Sequence, residues 1–449
     1  MEFELTKELL EDIRIKLAEG KLEELMVDVH EMHAADIAEI LEALDHEEAS
    51  VIMDAIDDEL AADVLMEADE DLRSKLLEEY SHKEIETVVD QLDSDDAADL
   101  LSELPEARKR EVLNNMEDVE QAKQIATLLS HADDTAGSLM ATELIKVNQN
   151  WTVLQCVREM RRQAEDVEEV YAVYVVDDNG LLLGSLSLMK LLTTSTKTQI
   201  SEIYDSKIRS VTTTEDAEEV ALLMQKYDLV SLPVTDDLGH LLGRITLDDV
   251  VDVITEEAEK DYNLASGLTE EVEDSDSLFT ITKIRLPWLV VGLVGGLAVA
   301  AIVGLNEGRI AAIPSLAFFI PLIAAMGGNV GVQSSAIVVK ALASNSFGPD
   351  NVKRLRKEFS VGLINGFIVA LLMLGFGGLI GFDMEIILTV SLSLLFVVIF
   401  ASLFGTFVPL MLDKFNIDPA VATGPFITTS NDVIALFIYF YIGRLIIGA

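Results

Sequence analysis

The sequence predicts a multidomain fold in four parts: an all-α superhelical N domain (residues 1–130), an α+β pair of tandem units (131–199 and 200–258), a linker helix (246–270) and a five-helix transmembrane domain (280–449). Three observations predict it. Glycine and proline are almost absent from the first 130 residues, a β-rich hairpin pattern then occurs twice, and five long apolar stretches fill the last third.

In the N domain, apolar residues recur three and four apart, as at Ile37, Ile40, Leu41 and Leu44. Ala-Ala-Asp recurs at 34–36, 61–63 and 97–99, each time near the start of an apolar-faced helix. A period of roughly thirty residues predicts stacked helical hairpins forming a superhelix. Acidic residues in a first helical turn also suit the helix macrodipole, so Asp95, Asp96 and Asp99 have a structural explanation of their own. The opening stretch, MEFELTKELLEDIRIKLAEG, has neither an apolar core nor a small-residue cleavage site, so it does not read as a signal peptide.

From about 131 the pattern changes. EVYAVYVVDDNGLLLGSLSL (169–188) is two β-rich runs around an Asp-Asn-Gly turn, and DLVSLPVTDDLGHLLGRITLDDV (228–250) repeats the arrangement. Both copies run helix, strand, turn, strand ending in Leu-Leu-Gly, helix. This resembles a pair of cystathionine-β-synthase (CBS) domains over about 134–258, which pack together as a regulatory module. Many such pairs hold adenosine nucleotides such as ATP with a Ser/Thr-x-x-Asp pattern after the last strand. The second copy has it as Thr246 and Asp249; the first reads Ser187-Leu188-Met189-Lys190, so at most one nucleotide site is supported.

The linker helix, DDVVDVITEEAEKDYNLASGL, places Asp249, Asp252, Glu256 and Glu259 at steps of three and four, and Leu247, Val251, Ile254 and Ala258 on another face. Like charges at that spacing repel, and a bound cation would relieve them; a merely solvated acidic face is the alternative.

Apolar stretches at about 286–305, 312–343, 361–382, 386–412 and 420–447 each exceed the roughly 20 residues that span a bilayer. Lys353, Arg354, Arg356 and Lys357 lie between the second and third, which places that loop and the N-terminal region in the cytosol and the C-terminus outside. The third and fourth spans carry no titratable residue in their apolar cores and are expected to face lipid or serve as scaffold.

Asp432 is the only carboxylate in the last stretch. A mid-membrane carboxylate costs about 2.5–3.5 kcal/mol even on lenient scales, so it is a candidate cation site unless it caps a broken helix or pairs with a base. The second span carries Gly327, Gly328, Asn329, Gly331, Gln333, Ser334 and Ser335. Small-residue packing explains the glycines and serines, but less easily Asn329 and Gln333, whose carbonyl oxygens suit a hard cation. Two polar spans do not enclose a wide pore alone; a homodimer would supply two copies of each.

Of 79 acidic and 32 basic residues, positions 284–449 hold 8 and 9, so residues 1–283 hold 71 and 23. That excess excludes nucleic acid, whose phosphates need Lys and Arg. It suits cations. Cys156 is the only cysteine, so an internal disulfide, thiolate cluster and redox pair are excluded, and none of the six His lies in a span, which disfavours Zn2+.

The order of parts, with DDTAGSLM (133–140), PLIAAMGGNVGVQ (321–333) and DPAVATGPFITTSND (418–432), resembles the MgtE magnesium channels over nearly the whole chain. The resemblance implies a homodimer in the cytoplasmic membrane of a bacterial-type cell. It would conduct Mg2+ between its second and fifth spans and be closed by Mg2+ bound to its cytosolic domains. It makes Asp432 the pore carboxylate, with Asn329 and Thr428 beside the path. It also points to Asp93, Asp95, Asp96 and Asp99, then Asp248, Asp249, Asp252, Glu256, Glu257 and Glu259, as residues bridged by regulatory Mg2+. A CBS-gated channel for another divalent cation, such as Mn2+ or Co2+, is the rival reading. An anion pore would need mid-membrane basic residues, and a membrane hydrolase a nucleophile and base; the spans offer neither.

Overall fold

In the computed structural model, ten short helices run from Lys7–Ala18 to Val119–Leu128. Residues 3–448 are described apart from 117, 165–166, 168–169, 270–271, 273–276, 344–350, 416 and 423. Two compact bodies are present, Met1–Thr255 and Glu256–Ala449.

Acidic residues start most of the N-domain helices. Asp45, Asp57, Asp69 and Asp118 each accept backbone N–H groups at the N-cap, and Asp45 with Glu48 and Ser81 with Glu84 form capping boxes. Such a cap contributes about 1 kcal/mol, so part of the acidic excess is structural. Ala34–Glu42 packs on Asp58–Glu67, that helix on His82–Val89, and that in turn on Glu106–Asn115, which gives the superhelix. Ala61, Ala62, Ala97 and Ala98 are buried, which explains the small residues of the repeat. Cross-repeat ties follow the same period: Arg14 to Glu48 at 3.2 Å, Arg73 to Glu103 at 2.6 Å, and Arg108 to the carbonyls of Leu77 and Tyr80.

The tandem units form two three-stranded sheets, β1 (Ile145–Asn148), β2 (Val173–Val176) and β3 (Leu182–Leu186), then β4 (Val211–Thr212), β5 (Ser231–Thr235) and β6 (Leu241–Thr246). In each, the first pair is parallel and the second antiparallel. Their hairpin turns bond reciprocally: Leu182 N donates to the Gly239 carbonyl at 3.0 Å and Leu241 N to that of Gly180 at 3.1 Å. Residues 136–141, expected to open the first unit, are bonded to the second. Ala136 N donates to the Glu215 carbonyl, Gly137 N to that of Thr213, and Ala141 exchanges a pair of bonds with Arg244.

The linker helix spans Leu247–Ser266. Its early turns bury Val250 and Val253, whereas Leu247, Val251 and Ile254, expected to form its apolar face, are exposed, as is Ala258. Val250 and Val253 join the core that runs through the N domain and second unit, so packing onto that core, not apolar spacing alone, selects the face.

Among the described residues, the second body holds five helices long and apolar enough to cross a membrane: Leu278–Leu305, Ser315–Ala343, Asn351–Ile380, Met384–Lys414 and Gly424–Ile447. The shortest, at 24 residues, is about 36 Å long against a hydrocarbon core of about 30 Å. The third begins ten residues before its apolar core, because the basic run continues the helix. The fourth is the scaffold, burying Val390, Leu394, Val397, Val398 and Ala401. The third exposes Leu363, Phe367 and Leu371, as a lipid-facing helix would. The second span is broken at Phe319, just before Pro321; nearby, the buried Tyr439 hydroxyl donates to the Leu316 carbonyl at 3.0 Å.

Candidate cation sites

The helix Ser94–Ser102 departs from its neighbours at its start. Asp93 holds the N-cap position but makes no cap hydrogen bond. Its carboxylate, with those of Asp95 and Glu143, offers oxygens that all lie within 4.8 Å of one another. Glu143 is brought there by Ser94, whose N and Oγ donate to Glu143 Oε2 at 3.2 and 2.8 Å, while Thr142 N donates to Ser94 Oγ. Arg244, buried on β6, approaches Asp93 at 3.7 Å.

The start of the linker helix adds to this group. Burial, then the charges of Asp96, Asp249 and Asp93, holds the Asp95 carboxyl well above the usual carboxylate range. Asp96 is pushed up to about 7 by burial and by Asp249, Asp99, Asp93 and Asp248. Asp249 shifts the same way through burial, opposed by Thr246, whose N and Oγ1 both donate to Asp249 Oδ2 at 2.8 Å. Asp252 is raised by burial and Asp248. These shifts record burial first and crowded negative charge second, and a divalent cation would relieve both. Around an octahedral Mg2+ at bonds of about 2.1 Å adjacent oxygens lie about 3.0 Å apart and opposed ones about 4.2 Å, so the three carboxylates must draw together, or bind through retained waters, to hold one.

The fold thus gathers Asp93, Asp95, Asp96, Asp248 and Asp249, with Asp99 and Asp252 at the margin. Thr246 and Asp249, named for a nucleotide ribose, are hydrogen-bonded to each other. Glu256 and Glu259 lie on exposed turns of the linker helix, and Glu257 accepts from Lys260 at 2.8 Å. Further along, burial and the charge of Asp418 raise the Asp261 carboxyl. There the linker meets the fifth span: a Cβ on Gly424 would lie 2.5 Å from the Ala265 carbonyl oxygen.

Within the spans, a Cβ on Gly328 would lie 3.4 Å from Asp432 Oδ1 and 3.1 Å from Thr428 Cγ2, so the second span brings a bare backbone face to the carboxylate. Thr428 Oγ1 donates to the Gly424 carbonyl at 3.1 Å and keeps lone pairs for a hydrated cation. Asn329 and Gln333, one turn apart, are exposed on a common face, where lipid chains could not satisfy their amides. Sequence reasoning missed Glu143, Arg244, Asp261 and Asn431. Only Asn431, a second polar residue in an apolar run, carried a signal in the sequence.

The family model for the divalent cation transporter MgtE matches residues 320–442, that for the MgtE intracellular N domain 32–134, and that for the CBS domain 136–196 and 200–256. The magnesium transporter MgtE of Enterococcus faecalis is 36% identical over 327 residues, which cover 73% of this chain and 72% of that protein. That of Thermus thermophilus is 34% identical over 340 residues, 75% of each. Among solved structures, the cytosolic domain of the Mg2+ channel MgtE in complex with ATP matches with a TM-score of 0.52 at 32% identity, covering 54% of this chain and 99% of that one.

Proposed function

The chain belongs to the MgtE family of divalent cation transporters, and from that premise we propose that it conducts Mg2+ across the cytoplasmic membrane as a homodimer, closed by Mg2+ bound to its acidic cytosolic domains. The observation that carries the transport reading is the Asp432 carboxylate facing the bare backbone of Gly328. Mg2+ sheds its waters reluctantly and is usually held through one or two carboxylates, which suits one such Asp per subunit. The exposed amides of Asn329 and Gln333 support a second subunit across the path.

Regulation is assigned to the carboxylates around Asp93, Asp95 and Glu143. The N domain (1–130) supplies Asp93, Asp95, Asp96 and Asp99; the start of the linker helix supplies Asp248, Asp249 and Asp252. Glu256, Glu257 and Glu259 carry the acidic face onward. A cation in the group lowers the cost of holding the N domain, the second CBS unit (200–258, with residues 136–141 bonded to it) and the linker together. The N-terminal domains then lie in the cytosol and the C-terminus outside. An ATP-class nucleotide at Thr246 and Asp249 is a further ligand of the CBS pair, supported by the ATP complex of the related cytosolic domain.

Mg2+ influx into proteoliposomes tests the transport reading. Wild-type protein admits Mg2+ and Asp432→Asn does not, with the dimer intact on gel filtration; equal flux from both would refute it.

A further inference from the structure

Two adjacent polar residues of the fifth span face different parts of the second. Asp432 lies over Gly328, while Asn431, 1% exposed, is turned into the protein against Gly331. A Cβ built on Gly331 would overlap Asn431 Nδ2 and lie 2.8 Å from Ile427 Cγ2. The fourth span closes the same junction, where a Cβ on Gly405 would overlap the Gly331 carbonyl oxygen and lie 3.1 Å from Ser334 Cβ. Asn431 is therefore held at a meeting point of three helices.

Neither Nδ2 nor Oδ1 of Asn431 has a hydrogen-bond partner among the described residues, and Ser335 Oγ and Thr406 Oγ1 also lack one. A buried, unsatisfied amide in a membrane helix is destabilising, so stability alone does not account for it. Shape does. Gly328 and Gly331 are three residues apart on the second span: Gly331 admits the Asn431 side chain, while Gly328 takes the close approach of Thr428 and stands at ordinary contact distance from Asp432. The contacts of Asn431 and Asp432, about 100° apart around the fifth span, fix both its rotation and its height. Turning that span by one residue would take Asp432 off Gly328.

We propose that Asn431 is a positioning residue: seated at Gly331, it fixes the rotation and register of the fifth span so that the Asp432 carboxylate is held over Gly328 in the ion path. The proposal rests on Asp432 being the ion-binding carboxylate.

The test is Mg2+ and Mn2+ influx into proteoliposomes for Asn431→Ala, Gly331→Ala and the double variant, with gel filtration to confirm the dimer and Asp432→Asn run in parallel. Asn431→Ala, which empties the notch, raises the half-saturating Mg2+ concentration severalfold and changes the Mn2+ to Mg2+ flux ratio while the dimer persists. Gly331→Ala loses most of its flux because the new methyl displaces the carboxamide. The double variant, whose methyl occupies the vacated space, regains much of that flux. Should Gly331→Ala fail to assemble, recovery of the dimer in the double variant and the altered concentration dependence of Asn431→Ala still decide the matter. Wild-type half-saturation and flux ratio in Asn431→Ala, or a double variant no better than Gly331→Ala, overturn the proposal. If Asp432→Asn also conducts normally, the pore reading itself is lost.

Discussion

Gly328 and Asp432 face each other between the second and fifth spans, where a Cβ on the glycine would stand 3.4 Å from the carboxylate Oδ1. The same Cβ would lie 3.1 Å from Thr428 Cγ2, tight enough that the fifth span must give by a few tenths of an ångström. Gly328→Ala is expected to lower Mg2+ flux partially and Gly328→Val to abolish it, both with the dimer retained. Asn329→Leu, which removes an oxygen donor but no charge, impairs flux less than Asp432→Asn. Proteoliposome flux across the four variants checks this ranking, and a fully active Gly328→Val would defeat it.

Mg2+ is expected to protect the linker helix and N domain from protease, with half-protection in the millimolar range, because carboxylates that leave the ion largely hydrated bind it weakly. A concentration of about 100 times the dissociation constant favours the bound state by about 2.7 kcal/mol per site. Glu143→Gln leaves the Ser94 contacts a carbonyl oxygen to bond but removes one charge of the group, so half-protection moves to higher Mg2+. Unchanged protection in that variant would exclude Glu143 as a ligand.

Acid should imitate the ion. Asp96 is raised to about 7 by burial, against about 3.9 for an exposed carboxylate, and Asp95 and Asp249 move in the same direction. A carboxyl whose docked pKa is raised keeps its proton when docked but loses it when the domains part. Docking is therefore favoured at low pH and weakens as pH rises through the docked value. In chelator, lowering the pH from about 8 to about 6 is expected to increase protection of the linker helix. Loss of protection over that interval would contradict the burial of these groups.

The large divisions were legible because their signals are periodic or compositional: the Ala-Ala-Asp repeat, the doubled hairpin and the five apolar runs all became the elements they predicted. Contacts between distant segments were not. Glu143 reaches Asp93 only because Ser94 hydrogen-bonds it across 49 residues, and no local spacing records that. Nor did helical spacing say which residues of the linker helix are buried: Leu247, Val251 and Ile254 satisfy it, while the core takes Val250 and Val253. Asp93 resembles the other N-cap aspartates in sequence, and its missing cap bond is visible only in three dimensions.

The central claim is that Mg2+ bridging the acidic domains closes the pore, and current through membrane patches exposing the cytosolic face tests it most directly. Wild-type current is expected to fall as cytosolic Mg2+ is raised through the millimolar range. A variant with Asp249, Asp252, Glu256 and Glu259 all neutralised has lost both the carboxylate bridges and their mutual repulsion. If bridging is the lock, its current persists at high cytosolic Mg2+; a variant that stays silent at every Mg2+ concentration would mean that repulsion alone holds the gate open.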